Sequence, residues 1–184
     1  RSRGNAALEL AIQSANTSNL PVAVCFGITD DYPEANARHY AFMLEGLADV
    51  SKNLAKRGIA FIVRYGQPGD IALDIAQDAA AVICDRSYFP LQISWRKQLA
   101  QKARCAVVQV ETEVGVPVDV TTDKSEYAAR TIRPKIHRVL DEYLIKLEET
   151  RPKNAATKID LKSDFDISNP TATLSALDID RSVA

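Results

Sequence analysis

The 184-residue sequence has few of the side chains that bind metals or form disulfides, with three cysteines and two histidines. Cys25, Cys84 and Cys105 are odd in number and far apart, and each lies in an apolar, strand-like run. Small side chains in such runs are typical of buried packing positions. The sequence therefore predicts free structural cysteines, no metal centre and a reducing, cytoplasmic compartment.

The chain also has no excess of positive charge, since 23 lysines and arginines face 24 aspartates and glutamates. A self-sufficient nucleic-acid-binding protein usually carries a basic excess, so any contact with DNA is expected to be local or to lie outside these residues. No apolar run approaches the roughly 20 residues of a membrane span. No GxGxxG, P-loop or GxSxG motif is present, which disfavours the familiar dinucleotide and ATP sites.

What the sequence does contain is a regular alternation of helical and strand patterns. Continuous apolar runs, typical of strands buried on both faces, cover residues 20–28, 59–66, 80–85 and 105–111. Helical stripes cover residues 5–16, 34–56, 68–80 and 90–103. Strands and helices that alternate at these lengths form right-handed βαβ units. The predicted fold class is therefore α/β, a doubly wound, Rossmann-like parallel sheet.

The first helical stripe has no strand before it, although a doubly wound sheet normally opens with a strand, often a central one. The natural position of that strand is upstream of Arg1, and the chain also opens without a methionine. We therefore expect the 184 residues to be a fragment of a longer protein. Without the first strand, two strand edges would be exposed and open to pairing with another chain.

The alternation ends near residue 115 and divides the chain into three predicted parts. Residues 1–115 are the α/β domain, residues 116–150 an exit segment with an amphipathic helix, and residues 151–184 a linker. In the exit segment a helix is predicted over 134–147, with Pro134 in its first turn and an apolar inner face. The last part is polar and weakly periodic, which predicts a linker with a single helical turn near residues 171–179.

Ligands of open parallel sheets bind beyond the carboxyl ends of the strands, so the loops there are the candidate sites. The loop after the third strand carries Asp85, Arg86, Ser87 and Tyr88. These side chains could hold a planar polar ligand by stacking and hydrogen bonding. The alternative is a capped loop whose aromatic side chains pack on the edge of the sheet. Asp30 and Asp31, after the first strand, indicate a turn before a helix rather than an acid–base pair.

Two longer stretches resemble the N-terminal region of class II cyclobutane pyrimidine dimer photolyases. They are "DDYPEANARHYAFMLEGLADVSKNLAKRGIAFIVRYGQP" at residues 30–68 and "VTTDKSEYAARTIRPKIH" at residues 120–137. The block "SEYAARTIRPKI" is the most specific part of the match, and the order of the segments agrees over nearly the whole chain.

The resemblance implies one half of a two-part enzyme. In this family an N-terminal α/β domain can hold an antenna chromophore. A C-terminal helical domain holds FAD, admits a flipped pyrimidine dimer from UV-damaged DNA, and splits it by light-driven electron transfer. That helical domain is absent from these 184 residues, so no catalytic residue can be carried over. We expect the fragment alone to be inactive.

The resemblance also bears on the candidate loop, because photolyases of several classes place their antenna against it. It implies a cofactor site with Asp85, Arg86, Ser87 and Tyr88 on one wall. The other wall would be the turn around Phe26 and Gly27, and the candidate antennas are a deazaflavin or a folate. Two alternatives stay open: a cryptochrome-like photoreceptor that signals through a partner, and an unrelated α/β nucleotide-binding module.

Overall fold

The computed structural model describes residues 1–154 and 159–183, in which seven helices and four strands alternate. The elements are α1 (Ala6–Ser18), β1 (Ala23–Ile28), α2 (Ala37–Lys56), β2 (Ala60–Tyr65), α3 (Pro68–Ala76), β3 (Ala81–Arg86), α4 (Pro90–Lys102), β4 (Ala106–Glu111), α5 (Val118–Thr121), α6 (Ala129–Tyr143) and α7 (Pro170–Ala176). The α/β class is therefore confirmed. In this part of the chain no helix combines the length and apolar character needed to cross a membrane.

The four strands form two parallel pairs. β1 pairs with β2 from Ala23 opposite Ala60, and β3 pairs with β4 from Ala81 opposite Ala106. Each pair is a βαβ unit, with α2 and α4 as the respective crossover helices. Within residues 1–154 and 159–183 the two pairs are not hydrogen bonded to each other. The sheet that the sequence predicts is thus present as two separate parallel pairs.

The apolar core lies mainly around the first pair, beneath α1 and α2. Leu8 and Ile12 of α1 pack with Leu54 of α2, and Leu44 of α2 packs near the end of β1. α1 begins after Asn5, whose side-chain oxygen accepts a hydrogen bond from the Leu8 amide at 2.9 Å. This cap satisfies a backbone amide that the first turn of a helix leaves free. It fixes where α1 starts over the strands.

The polar C-terminal stretch, which the sequence predicts as a linker, packs onto this core between residues 163 and 180. The Asp164 amide donates to the Val63 carbonyl at 2.9 Å, and the Val63 amide donates to the Ser163 hydroxyl at 3.0 Å. Ile167, Leu177 and Ile179 are buried in the same cluster as Val63. The expected helical turn is present as α7, which lies against α2. This stretch therefore covers the outer edge of β2, and its further role as a linker stays a prediction.

The exit helix α6 differs from the sequence prediction at its start. It begins at Ala129, more than a turn before the expected position, so the placement of Pro134 in the first turn is wrong. Pro134 lies inside the helix, where its missing amide leaves the Arg130 carbonyl without its usual intrahelical bond. Both residues are exposed, so water can satisfy that carbonyl. The predicted apolar face is not buried in these residues, and Leu144 just beyond the helix is 63% exposed.

Candidate functional site

The predicted site residues fall into two groups on different strand pairs. Phe26 and Gly27 lie in β1, whereas Asp85 and Arg86 end β3 and Ser87 follows it. The structure therefore places one group on each side of the break between the pairs. Within the described residues the β3 group contacts β4 and α5. No hydrogen bond joins the β3 group to Phe26 or Gly27.

Tyr88 connects the β3 loop to the end of β4. Its hydroxyl donates to the Glu111 carboxylate and accepts from the Val118 amide at 3.4 Å. Burial and the hydrogen bond to Glu111 together raise the pKa of the Tyr88 phenol. At neutral pH the hydroxyl is therefore a protonated donor that fixes the ring in place.

Arg86 lies over the face of the Tyr88 ring, with its guanidinium carbon 5.3 Å from the ring centroid. Its Nη2 atom also donates to the Asp119 carboxylate of α5 at 2.5 Å. That hydrogen bond raises the pKa of Arg86. A cation over an aromatic face is a favourable contact. Arg86 and Tyr88 are thus held by protein partners, Asp119 and Glu111.

Asp85 lines an open, polar cleft of about 330 Å³ at the carboxyl end of β3. Its Oδ1 atom accepts from the Thr112 hydroxyl at 2.6 Å and from the Asn5 amide group at 3.2 Å. Arg1 and Glu113 complete the lining. The cleft therefore offers a polar ligand positively and negatively charged side chains as well as neutral hydrogen-bonding groups.

Sequence reasoning missed most of this cleft. Thr112 directly follows β4, so the rule that carboxyl ends of parallel strands meet at one edge could have found it. The sequence offers Asn5 only as a candidate cap at the start of the first helical stripe. Its side-chain oxygen does cap α1, but its nitrogen is left free to reach Asp85. No sequence pattern signals this second contact.

Ser87 is 6% exposed and lies where β3 meets α4. Its carbonyl accepts from the Arg96 Nη2 atom at 2.6 Å, but its hydroxyl has no hydrogen-bond partner among the described residues. The same holds for Nε and Nη1 of Arg96 and for the Gln92 side-chain oxygen. Buried polar atoms are nearly always paired, and each unpaired one costs about 1–3 kcal/mol. This junction is therefore polar, and these residues leave it incompletely satisfied.

On the other wall, Phe26 and Gly27 have packing roles. Phe26 contacts the core cluster beneath α2. A Cβ atom on Gly27 would lie 2.9 Å from the Pro68 Cα atom, so the absence of a side chain allows α3 to approach β1 closely. These contacts position the wall, and a direct role in ligand binding stays a prediction.

The loop after β1 holds its two carboxylates in separate hydrogen bonds. Asp31 accepts from the Thr29 hydroxyl and from Gln67 at 2.8 Å, which lowers its pKa. Asp30 accepts instead from the Tyr65 hydroxyl. The two carboxylates are therefore held by different partners, and the interpretation of this segment as a turn stays a prediction. In residues 1–154 and 159–183, no group of three or more acidic, histidine or cysteine side chains could hold a metal ion.

An aromatic pair links the two halves of the sheet at this edge. Tyr32, in the loop after β1, contacts Trp95 of α4 with ring centroids 6.4 Å apart. Gln92 of the same helix donates to the Tyr32 hydroxyl at 3.0 Å. The sequence predicts Trp95 only as a core residue, because nothing in its own segment points to the β1 loop.

Residues 1–155 match the family model described as DNA photolyase. The chain is 46% identical over 147 residues to a protein named deoxyribodipyrimidine photo-lyase from Methanothermobacter thermautotrophicus, covering 80% of this chain and 33% of that one. Proteins of the same name from Potorous tridactylus and Arabidopsis thaliana are 35% and 32% identical, covering 78% and 83% of this chain and 28% and 32% of theirs.

The chain thus spans about a third of the length of these relatives. The family match covers more than half of the chain and includes both strand pairs and the exit helix. The chain belongs to the DNA photolyase family and corresponds to the N-terminal α/β part of such a protein.

Proposed function

We propose that the chain is the N-terminal domain of a class II photolyase that splits cyclobutane pyrimidine dimers in UV-damaged DNA. The identity to a named deoxyribodipyrimidine photo-lyase over four fifths of the chain carries this proposal. The block at residues 125–136, "SEYAARTIRPKI", supports the assignment to class II. The light-excited, reduced FAD that donates the electron would be bound, with the DNA, by a helical domain outside these residues.

Within that enzyme, this domain would hold an antenna chromophore at the carboxyl edge of its strands. A deazaflavin or a folate would supply the absorption of light, with the excitation passed on to the flavin. The residues present fit a polar ligand, because polar side chains line the cleft beside Asp85 and its volume is near the lower end of the usual range for ligand pockets. Arg86, Ser87 and Tyr88 form its neighbouring loop, and Phe26 and Gly27 would form the opposite wall.

The balanced charge of the chain supports the proposal that the helical domain, and not this one, binds the DNA. With a net charge of −1 the domain has no general attraction for the phosphate backbone, whose neutralisation dominates the affinity of DNA-binding proteins. The contacts with damaged DNA would therefore come from the helical domain.

A repair assay tests the proposal. The intact protein that contains this chain should restore thymine-dimer DNA under near-UV or blue light and leave it unrepaired in the dark. Equal repair in darkness would contradict a photolyase. FAD binding and a light response without repair would favour the cryptochrome-like alternative instead. A variant with Lys97→Met, an exposed residue of α4, serves as a control that should repair normally.

A further inference from the structure

A buried ion pair, remote in sequence from the candidate site, joins α1 to the end of α2. The side chains of Glu9 in α1 and Arg57, which directly follows α2, are 5% and 9% exposed, and Arg57 Nη2 lies 2.7 Å from Glu9 Oε1. Taking two charges out of water is costly, and apolar side chains of similar size often stabilise a protein as well as a buried ion pair does. Stability alone therefore does not account for this pair.

The pair binds the backbone of Thr150, beyond the end of α6. The Thr150 amide donates to Glu9 Oε2 at 2.8 Å, and the Thr150 carbonyl accepts from Arg57 Nη2 at 2.6 Å. Arg57 Nη1 also donates to the Ser2 carbonyl at 3.2 Å. Hydrogen bonds to charged groups are roughly twice as strong as those between neutral groups. Both peptide groups of one residue are thus held by a pair of opposite charges.

The residues that follow Thr150 lie along the same face of α1. Asn16, two turns after Glu9, donates to the Arg151 carbonyl at 3.0 Å and accepts from the Lys153 amide at 2.7 Å. Helical residues at this spacing share one face. α1 therefore binds residues 150–154, the strap, largely through their backbone atoms.

Hydrogen bonds, and not apolar packing, hold the strap in place. At its end, Asn154 donates to the Asn19 side-chain oxygen at 3.0 Å. None of the described residues 150–154 belongs to either apolar cluster, and Arg151 and Lys153 are exposed. Segments with few buried apolar contacts open at a lower free energy than the core. The strap can therefore detach while α1 and α2 stay folded.

We propose that the Glu9–Arg57 pair is a latch for the strap. The latch fixes the path of the chain after α6, and its loss opens the strap without unfolding α1 and α2. Because it binds peptide groups, the latch acts on the course of the backbone and not on the side chains of the strap. It also anchors the far end of the segment between α6 and the strap, where Leu144 and Ile145 are 63% and 65% exposed. The position of these apolar side chains is thereby tied to the latch.

Replacing both members of the pair tests the latch in the intact protein that contains this chain. Glu9→Leu together with Arg57→Met removes both charges and puts apolar side chains in their place, a change that folded proteins often tolerate. In hydrogen–deuterium exchange, the Thr150 and Lys153 amides should exchange at least about tenfold faster than in the wild type. Amides in the middle of α1 and α2 should keep their wild-type rates.

Two results would overturn the latch. Unchanged protection of the Thr150 and Lys153 amides would show that the pair does not hold the strap. Equal loss of protection in the strap and in the middle of α1 and α2 would show that the pair supports the core itself.

The single variant Glu9→Gln tests the same latch with less change of shape. Glutamine has one acceptor oxygen where glutamate has two, so either Arg57 or Thr150 loses its partner. The Thr150 amide should again exchange at least about tenfold faster, since hydrogen bonds to charged groups are the costly ones to lose. Glu45→Gln, an exposed change in α2, is the matched control and should leave the strap unchanged. Equal Thr150 exchange in the two variants would contradict the proposal.

The edge of β2 provides an internal comparison, because its cover has contacts of its own. The Val63 and Tyr65 amides donate to Ser163 and Asp164 at 3.0 and 2.9 Å. Doubling the length of a free connection lowers the probability of closing it by roughly threefold. In both Glu9 variants these two amides should therefore exchange at most about threefold faster. An increase as large as that of the strap would mean that strap and cover open as one unit, which contradicts a latch for the strap alone.

Discussion

At the scale of single residues, the carboxyl edge of the strands is organised by side chains that each make two contacts. Asn5 caps α1 with one atom and reaches Asp85 with another. Tyr88 joins β4 to the start of α5 and lies under Arg86. Sequence reasoning identified Asp85 and Tyr88 by their position after a strand, but it could not find their partners. Those partners lie in other segments, whose local sequence indicates a helix cap or the end of a loop but not a contact with β3.

Two glycines give a residue-scale prediction with opposite signs. Gly27→Ala should lower the free energy of unfolding by about 1–3 kcal/mol, because its Cβ would lie 2.9 Å from the backbone of α3. Gly46→Ala should raise it by about 0.5–1 kcal/mol, since Gly46 is an exposed residue within α2 with open space around it. Urea denaturation of both variants measures the two changes. A neutral Gly27→Ala would contradict the close approach of α3 to β1.

At the scale of elements, the strands and crossover helices were the predictable part. Apolar runs of strand length that alternate with helical stripes strongly favour one assignment of strands and helices. Each predicted strand is present. α6 was not placed correctly, because Pro134 was interpreted as the signal for a helix start. The actual start is supported from outside the helix, where Lys135 donates to Glu126 and to the Thr122 hydroxyl at 3.2 Å. Such a contact joins the second turn of the helix to the segment before it. It produces no periodic pattern in the sequence that could have predicted the helix start.

The Glu126–Lys135 pair gives an element-scale prediction on pH. The hydrogen bond from Lys135 lowers the pKa of the Glu126 carboxyl from its usual 4.5 to about 2. A lowered pKa stabilises the folded form above the unfolded pKa, so this contribution should be complete above about pH 5 and fade as the pH falls towards 2. Glu126→Gln should therefore weaken α6 at neutral pH and flatten its acid dependence.

Helix signals of residues 129–143, followed by NMR between pH 7 and pH 2, measure this effect. Glu142→Gln, an exposed change near the other end of α6, is the matched control and should keep the wild-type acid dependence. The same acid dependence in Glu126→Gln and wild type would contradict a role for the pair.

At the scale of the whole molecule, the largest departure from the sequence prediction is the stretch from 163 to 180. Its buried apolar residues Ile167, Leu177 and Ile179 are irregularly spaced and form no sustained helical or strand period. Their partner is the edge of β2, about 100 residues earlier, where Ser163 meets Val63. Local patterns cannot report a partner at that distance, so the stretch looked like a linker.

Leu177 tests the packing of this stretch. It is 3% exposed in the core cluster of α2 and β2, so Leu177→Ala should lower the free energy of unfolding by about 2–5 kcal/mol. Val183→Ala, 41% exposed, should change it by less than about 0.5 kcal/mol. Thermal or urea denaturation compares the two. Equal, small effects would show that the stretch does not belong to the core.

The cover over the edge of β2 also sets an order of events on the ribosome. Val63 cannot meet Ser163 until 100 more residues have been synthesised. At about 5–20 residues per second, β2 is therefore exposed as a nascent edge for roughly 5–20 seconds. During that interval the emerging chain offers an unpaired strand to any neighbour, so its yield in the cell should depend on chaperones that bind early and release late.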